Sequence, residues 1–175
     1  MRLQTKALAK RYAVYILILL AAHIFQNCLP IFPMLGGVRP ALLISCAVAI
    51  AMFEGEVIGA AAGLIAGALW DTVTVTADGY NALFLMLVCA VCGLLLRVFM
   101  RNNIITYLIM NSGITLLYFL SYALFFITAR GVSGAGGAVL RYYLPMAVYS
   151  LVLTPLWYWL IRRVNRRFSY NYAEI

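Results

Sequence analysis

The feature that most limits what this chain can fold into is where its charges are missing. Only 10% of the 175 residues are charged while 66% are hydrophobic, and the charges gather at the ends of six apolar runs. One soluble core of this size cannot hide so much apolar surface, so lipid must act as solvent for the excess. A helix needs roughly 20 apolar residues to cross the hydrocarbon layer, so six crossings use most of the chain. The expectation is an all-α, polytopic membrane bundle of six transmembrane helices, forming a single domain over residues 1–175 with no soluble appendage. The net charge of +8 does not point to nucleic acid, because no soluble face would display it.

The expected spans are residues 12–29, 41–53, 57–75, 82–96, 104–129 and 142–161. The first ends at Pro30 and Pro33, and no cleavable signal is expected, because further spans follow without a small-residue cleavage site. The second opens after Arg39-Pro40, and proline is well tolerated in a first helical turn. If the N-terminus is inside, the inner segments carry Arg2, Lys6, Lys10, Arg11, Arg97, Arg101, Arg162, Arg163, Arg166 and Arg167. The outer segments carry only Arg39, Arg130 and Arg141. That asymmetry puts both termini in the cytoplasm. Trp157, Tyr158 and Trp159, just before Arg162, are expected at the inner interface. Spans two and three are short and joined only by Glu54-Gly55-Glu56, so a re-entrant hairpin is the alternative to two full crossings. Removing both leaves the parity unchanged.

Within EGEVIGAAAGLIAGALWD, Gly55, Gly59, Gly63 and Gly67 recur every fourth residue, and Asp71 continues the series. Positions four apart on a helix drift by only about 40°, so the glycines form a groove winding slowly round one helix. Another backbone can pack closely there. The occupant is either a helix of the same chain or a partner's transmembrane helix. Asp71 is the costliest residue to place near a membrane and is a functional candidate for that reason. Its bland role is bonding to loop backbone or pairing with Arg39. Glu54 and Glu56 are expected to be hydrated at the inner turn.

The remaining polar residues carry weaker signals. Cys89 and Cys92 form a CxxC, but within ALFLMLVCAVCGLLL and without a neighbouring histidine or acid they read as small apolar residues. Cys28 and Cys46 complete the cysteines. His23 is the only histidine and cannot build a metal site alone. Asn111, Ser112 and Gly113 suit interhelical hydrogen bonding. Asn27 and Asn81 add little that could converge on a ligand. The glycine-rich stretch RGVSGAGGAVLR is expected outside. No phosphate loop, nucleophile–base pair or metal-ligand spacing appears. Neither an enzyme nor a cofactor is expected.

Three stretches together resemble the MreD family of rod shape-determining membrane proteins. They are VRPALLI at the second span, GAAAGLIAGALWD followed by Gly79, and PLWYWLIRRVNRRF before a basic tail. Ala41 departs from the family, where a polar residue commonly follows the proline. The resemblance implies a role in bacterial cell elongation in the cytoplasmic membrane, as a non-enzymatic organiser of lateral peptidoglycan synthesis. It implies MreC as partner, with MreB, RodA and a class B penicillin-binding protein nearby. It also implies a fold like the six-helix substrate-binding component of energy-coupling-factor transporters, which makes a small-molecule-binding subunit the second functional reading. Site residues implied by pattern and resemblance together are Arg39, Pro40, Gly55, Gly59, Gly63, Gly67 and Asp71.

Overall fold

The structure is a computed structural model of the chain and describes residues 2–27, 40–74, 79–99, 102–122, 124–125 and 144–173. Arg39, Cys28, Pro30, Pro33 and the stretch 130–141 lie outside the described residues, as do the expected ends of spans one, three and five. Six helices and no strand are found among those described: α1 Arg2–Asn27, α2 Leu42–Glu54, α3 Glu56–Asp71, α4 Tyr80–Val98, α5 Ile104–Tyr122 and α6 Leu144–Ala173. Segments Leu8–Asn27, Tyr80–Val98 and Ile104–Tyr122 are long and apolar enough to cross a membrane.

Two helices outrun the expected spans. α1 begins at Arg2 and α6 runs past Ile161 to Ala173. The added turns of α1 are rich in Ala, Arg, Lys and Leu, all good helix formers, those of α6 carry four arginines, and neither contains Gly or Pro, so nothing in them stops the helix where the apolar pattern ends.

α2 organises the bundle. Every residue from Leu42 to Met52 is buried, and α2 packs against all five other helices. Its 13 residues give a length of about 20 Å, against a hydrocarbon layer of about 30 Å. Protein rather than lipid surrounds it, so it has no need to match the bilayer. This accounts for the short second apolar run. At its C-terminal end the chain reverses through Gly55, whose φ of 86° and ψ of −171° lie in a region essentially reserved for glycine.

The N-terminal end of α2 is capped by its neighbours. Pro40 is not in the first turn, as expected, but precedes the helix, which starts at Leu42 with its N–H bonded to the Pro40 carbonyl at 3.1 Å. The residue at the cap is Ala41, whose side chain cannot accept a hydrogen bond. The orphan backbone donors therefore need other acceptors. Ala41 N–H donates to Ser150 Oγ of α6 at 2.8 Å, and Leu43 N–H donates to Gln26 Oε1 of α1 at 3.1 Å. Both acceptors are polar residues set in apolar runs, which is the one signal in the sequence that they had work to do.

A buried donor left without its acceptor costs about 1–3 kcal/mol. Gln26→Leu and Ser150→Ala should each lower the thermal midpoint of the detergent-purified protein by an amount corresponding to that cost. Ser112→Ala, whose hydroxyl bonds the Ile109 carbonyl of its own helix, should leave the midpoint close to wild type.

Candidate functional site

The glycine series lies where α3 meets α4, the most extensively packed pair among the described helices. Gly59 faces Cys89, Gly63 faces Leu85, and Gly67 faces Asn81 and Ala82. Gly93 of α4 faces Gly55 and Glu56. Each step of four along α3 thus meets a step of four back along α4, which is an antiparallel register fixed by small residues on both sides. A Cβ at Gly63 would lie 2.7 Å from the Leu85 carbonyl carbon, and one at Gly67 2.5 Å from the Ala82 nitrogen. At Gly59 a Cβ would lie 2.6 Å from Ala51 Cβ of α2, so this turn also holds α2 close. Helices of the same chain, chiefly α4, therefore occupy the groove. Gly55 shares the spacing but does another job: it makes the reversal, and a Cβ there would meet nothing within 4 Å. Cys89 and Cys92 are buried free thiols, and Cys89 supplies part of the surface against Gly63.

Asp71 is the last rung of this register. Where the next glycine would fall, a carboxylate reaches the first turn of α4 and accepts from Asn81 N–H at 3.3 Å and Ala82 N–H at 3.0 Å. The cap residue of α4 is Gly79, which has no side chain to do this. Negative charge at a helix N-terminus meets unpaired donors and the positive end of the dipole. The Asp71 carboxylate therefore sits on backbone donors. Asn81 is fully buried beside it, donating to Thr74 Oγ1 at 3.3 Å and accepting from the Tyr118 hydroxyl at 2.7 Å. The Tyr118 ring stacks on Trp70 with centroids 5.1 Å apart, and Tyr80 OH bonds Ser121 Oγ at 2.6 Å. These contacts tie α5 to the end of the α3–α4 pair at which α4 begins.

The opposite end is held by charge. Glu54 is not hydrated, as expected, but 5% exposed at its side chain. It accepts from the Arg11 guanidinium, from Tyr15 OH at 2.5 Å and from Asn165 Nδ2 at 3.4 Å. One carboxylate thereby joins α1, α2 and α6, and its multiple donors compensate for its loss of water. Glu56 pairs with Arg97 of α4 at 2.5 Å, a solvent-exposed pair of small worth. Asn102 Nδ2 bonds the Met52 carbonyl at 3.2 Å.

Between the two ends, Asn111 Nδ2 donates to Ser45 Oγ at 3.1 Å and Thr154 Oγ1 at 2.8 Å, and Tyr107 OH donates to the Ser45 carbonyl at 2.6 Å. Interhelical bonding thus links α2, α5 and α6 through Asn111. His23 lies 3.2 Å from Asn27 Nδ2 within α1. Trp157 and Tyr158 face into the bundle and are buried, Tyr158 stacking on Tyr107 at 5.4 Å, while Trp159 is 57% exposed. Among the described residues no three His, Cys, Asp or Glu side chains come together as a metal site would require. These polar groups hold helices at fixed spacing, while Asn111 Oδ1 and Trp157 Nε1 are buried without a hydrogen-bond partner among the described residues.

An all-helical bundle with lipid-length apolar helices, tied together by hydrogen bonds between buried polar side chains, defines a helical membrane protein. The family model for rod shape-determining protein MreD matches residues 9–166. The chain belongs to the MreD family and functions in rod shape determination. No curated protein and no solved structure matches it.

Removing the Asp71 acceptor should cost about 1–2 kcal/mol, the range for an N-terminal helix cap. Asp71→Ala should therefore lower the thermal midpoint. Asp71→Asn keeps one acceptor oxygen and should recover part of the loss. Gly55→Ala should cost about 1–3 kcal/mol through backbone strain alone, although there is room for the methyl group.

Proposed function

We propose that residues 1–175 act as a single six-pass domain of the bacterial cytoplasmic membrane, with both termini inside. In this reading the chain is a non-enzymatic subunit that binds MreC and organises lateral peptidoglycan synthesis alongside RodA, a class B penicillin-binding protein and MreB. The observation that carries the reading is the family match over residues 9–166. The orientation draws support from the place of the basic ends. Arg11 of α1, Arg97 of α4 and Asn165 of α6 all contact the Glu54–Glu56 turn. That puts the basic start of α1 and the basic ends of α4 and α6 on one side, as the positive-inside rule requires.

The glycine ridge serves this function from within, by setting the α3–α4 pair. Pro40 belongs to the approach to α2, and Asp71 to the start of α4. The surface left for a partner helix is the other face of α3. A groove of about 300 Å³ runs between α1 and α3, lined by Ile16, Leu19, Val57, Ala61 and Ile65 among others. Nothing among the described residues covers it. Its lining is apolar, which suits a transmembrane helix and not a polar ligand. This favours partner binding over the small-molecule reading.

Filling the groove should separate binding from folding. Ala61→Trp should keep the wild-type thermal midpoint and reduce MreC recovered by mild detergent co-purification by at least about tenfold, the scale of one interface hot spot. Undiminished recovery would exclude the α1–α3 groove as the interface. Absence of MreC from wild-type preparations would remove the reading altogether.

A further inference from the structure

One face of α6 is continuous from the apolar layer into a cluster of arginines. Val148, Val152, Leu156 and Trp159 are 55%, 71%, 57% and 57% exposed. They follow one another at helical spacing, so they form a stripe on the side away from the bundle. The opposite face, with Ser150, Thr154, Trp157, Tyr158 and Ile161, is buried. The stripe runs on into Arg162, Arg163 and Arg166, all exposed. In a membrane helix the apolar part of such a stripe meets lipid tails. The arginines then fall at the level of the headgroups, a depth that an exposed tryptophan marks.

The arginines are arranged as a receptor rather than a loose fringe. Arg162, Arg163 and Arg166 enclose a hollow of about 230 Å³ together with Trp159. The Arg163 guanidinium lies 4.8 Å from the Trp159 ring centroid, and that of Arg162 lies 5.8 Å from the Tyr158 ring. Both are thus folded back towards the membrane and held there by aromatic faces. None of the three forms an ion pair among the described residues. The inner-end acids Glu54 and Glu56 are taken by Arg11 and Arg97.

We propose that Arg162, Arg163 and Arg166, with Trp159 as their platform, bind the phosphate of an anionic phospholipid headgroup. Guanidinium groups match phosphate oxygens bidentately and hold anionic headgroups beside membrane spans. A free phosphate ion shares this chemistry, but the unbroken apolar stripe above the hollow supplies a track for acyl chains that only a lipid would use. The proposal rests on α6 crossing the bilayer, as in the function proposed above.

The test uses the full chain in phosphatidylcholine vesicles containing a minor fraction of lipid with brominated acyl chains, which quench tryptophan on contact. The Trp159 signal is taken as the difference between wild type and Trp159→Phe. Brominated phosphatidylglycerol should quench Trp159 as if enriched about fivefold or more over its bulk fraction, on the scale of one basic residue at a charged surface. Brominated phosphatidylcholine should quench only at its bulk fraction. Combining Arg162→Gln, Arg163→Gln and Arg166→Gln should abolish the difference. Equal quenching by the two lipids in the wild type would overturn the site while leaving α6 in the bilayer. No quenching by either would overturn the crossing and the site together. Reversal by inorganic phosphate as readily as by unlabelled phosphatidylglycerol would overturn the lipid assignment.

Discussion

The backbone-close contact between α3 and α4 sets the geometry on which the other contacts depend. Small residues on both helices remove the side chains that normally keep helix axes 8–10 Å apart. Once the glycines of α3 lie on the backbone of α4, the register is fixed at four successive turns. Asp71 then falls within reach of the first donors of α4, and Gly93 falls against the reversal at Gly55. Packing, capping and chain reversal are consequences of one spacing.

That contact also makes room for α2. A 13-residue helix with no polar stripe is too short to cross unaided and would not be stable alone. Here it is walled in by five helices, and its end groups are paired from outside: Gln26 and Ser150 at the start, Asn102 at the finish. The bundle is therefore built around an element that supplies neither its own caps nor its own lipid contact. Glu54, at the junction of α2 and the reversal, gathers donors from α1 and α6 and closes that end of the bundle.

Much of this was legible in the sequence, and the failures have physical reasons. The helices, the short α2 and the repeat of small residues follow from local pattern. Asp71 was visible as the fifth member of a series of four glycines, although its role depends on where α4 begins. The occupant of the groove was not legible, because a small-residue stripe accepts a helix of the same chain or of another equally well. Glu54 looked hydrated because its partners Arg11 and Asn165 are far from it in sequence. Trp157 and Tyr158 were placed with Trp159 by adjacency, yet a helix turns neighbours about 100° apart, which sends two into the bundle and one outward. Gln26 and Ser150 were missed, because a single polar residue in an apolar run does not say which backbone donor it meets, and only the fold identifies what they cap.

The most direct test of the central contact is a leucine scan of α3 in the purified chain, reading the thermal midpoint in detergent. Gly59→Leu, Gly63→Leu and Gly67→Leu should unfold the protein or lower its midpoint steeply. Ala61→Leu and Ala68→Leu, on the exposed face, should remain near wild type. Tolerance at the glycines together with sensitivity at Ala61 and Ala68 would show that α3 turns its other face to α4 and would contradict the account.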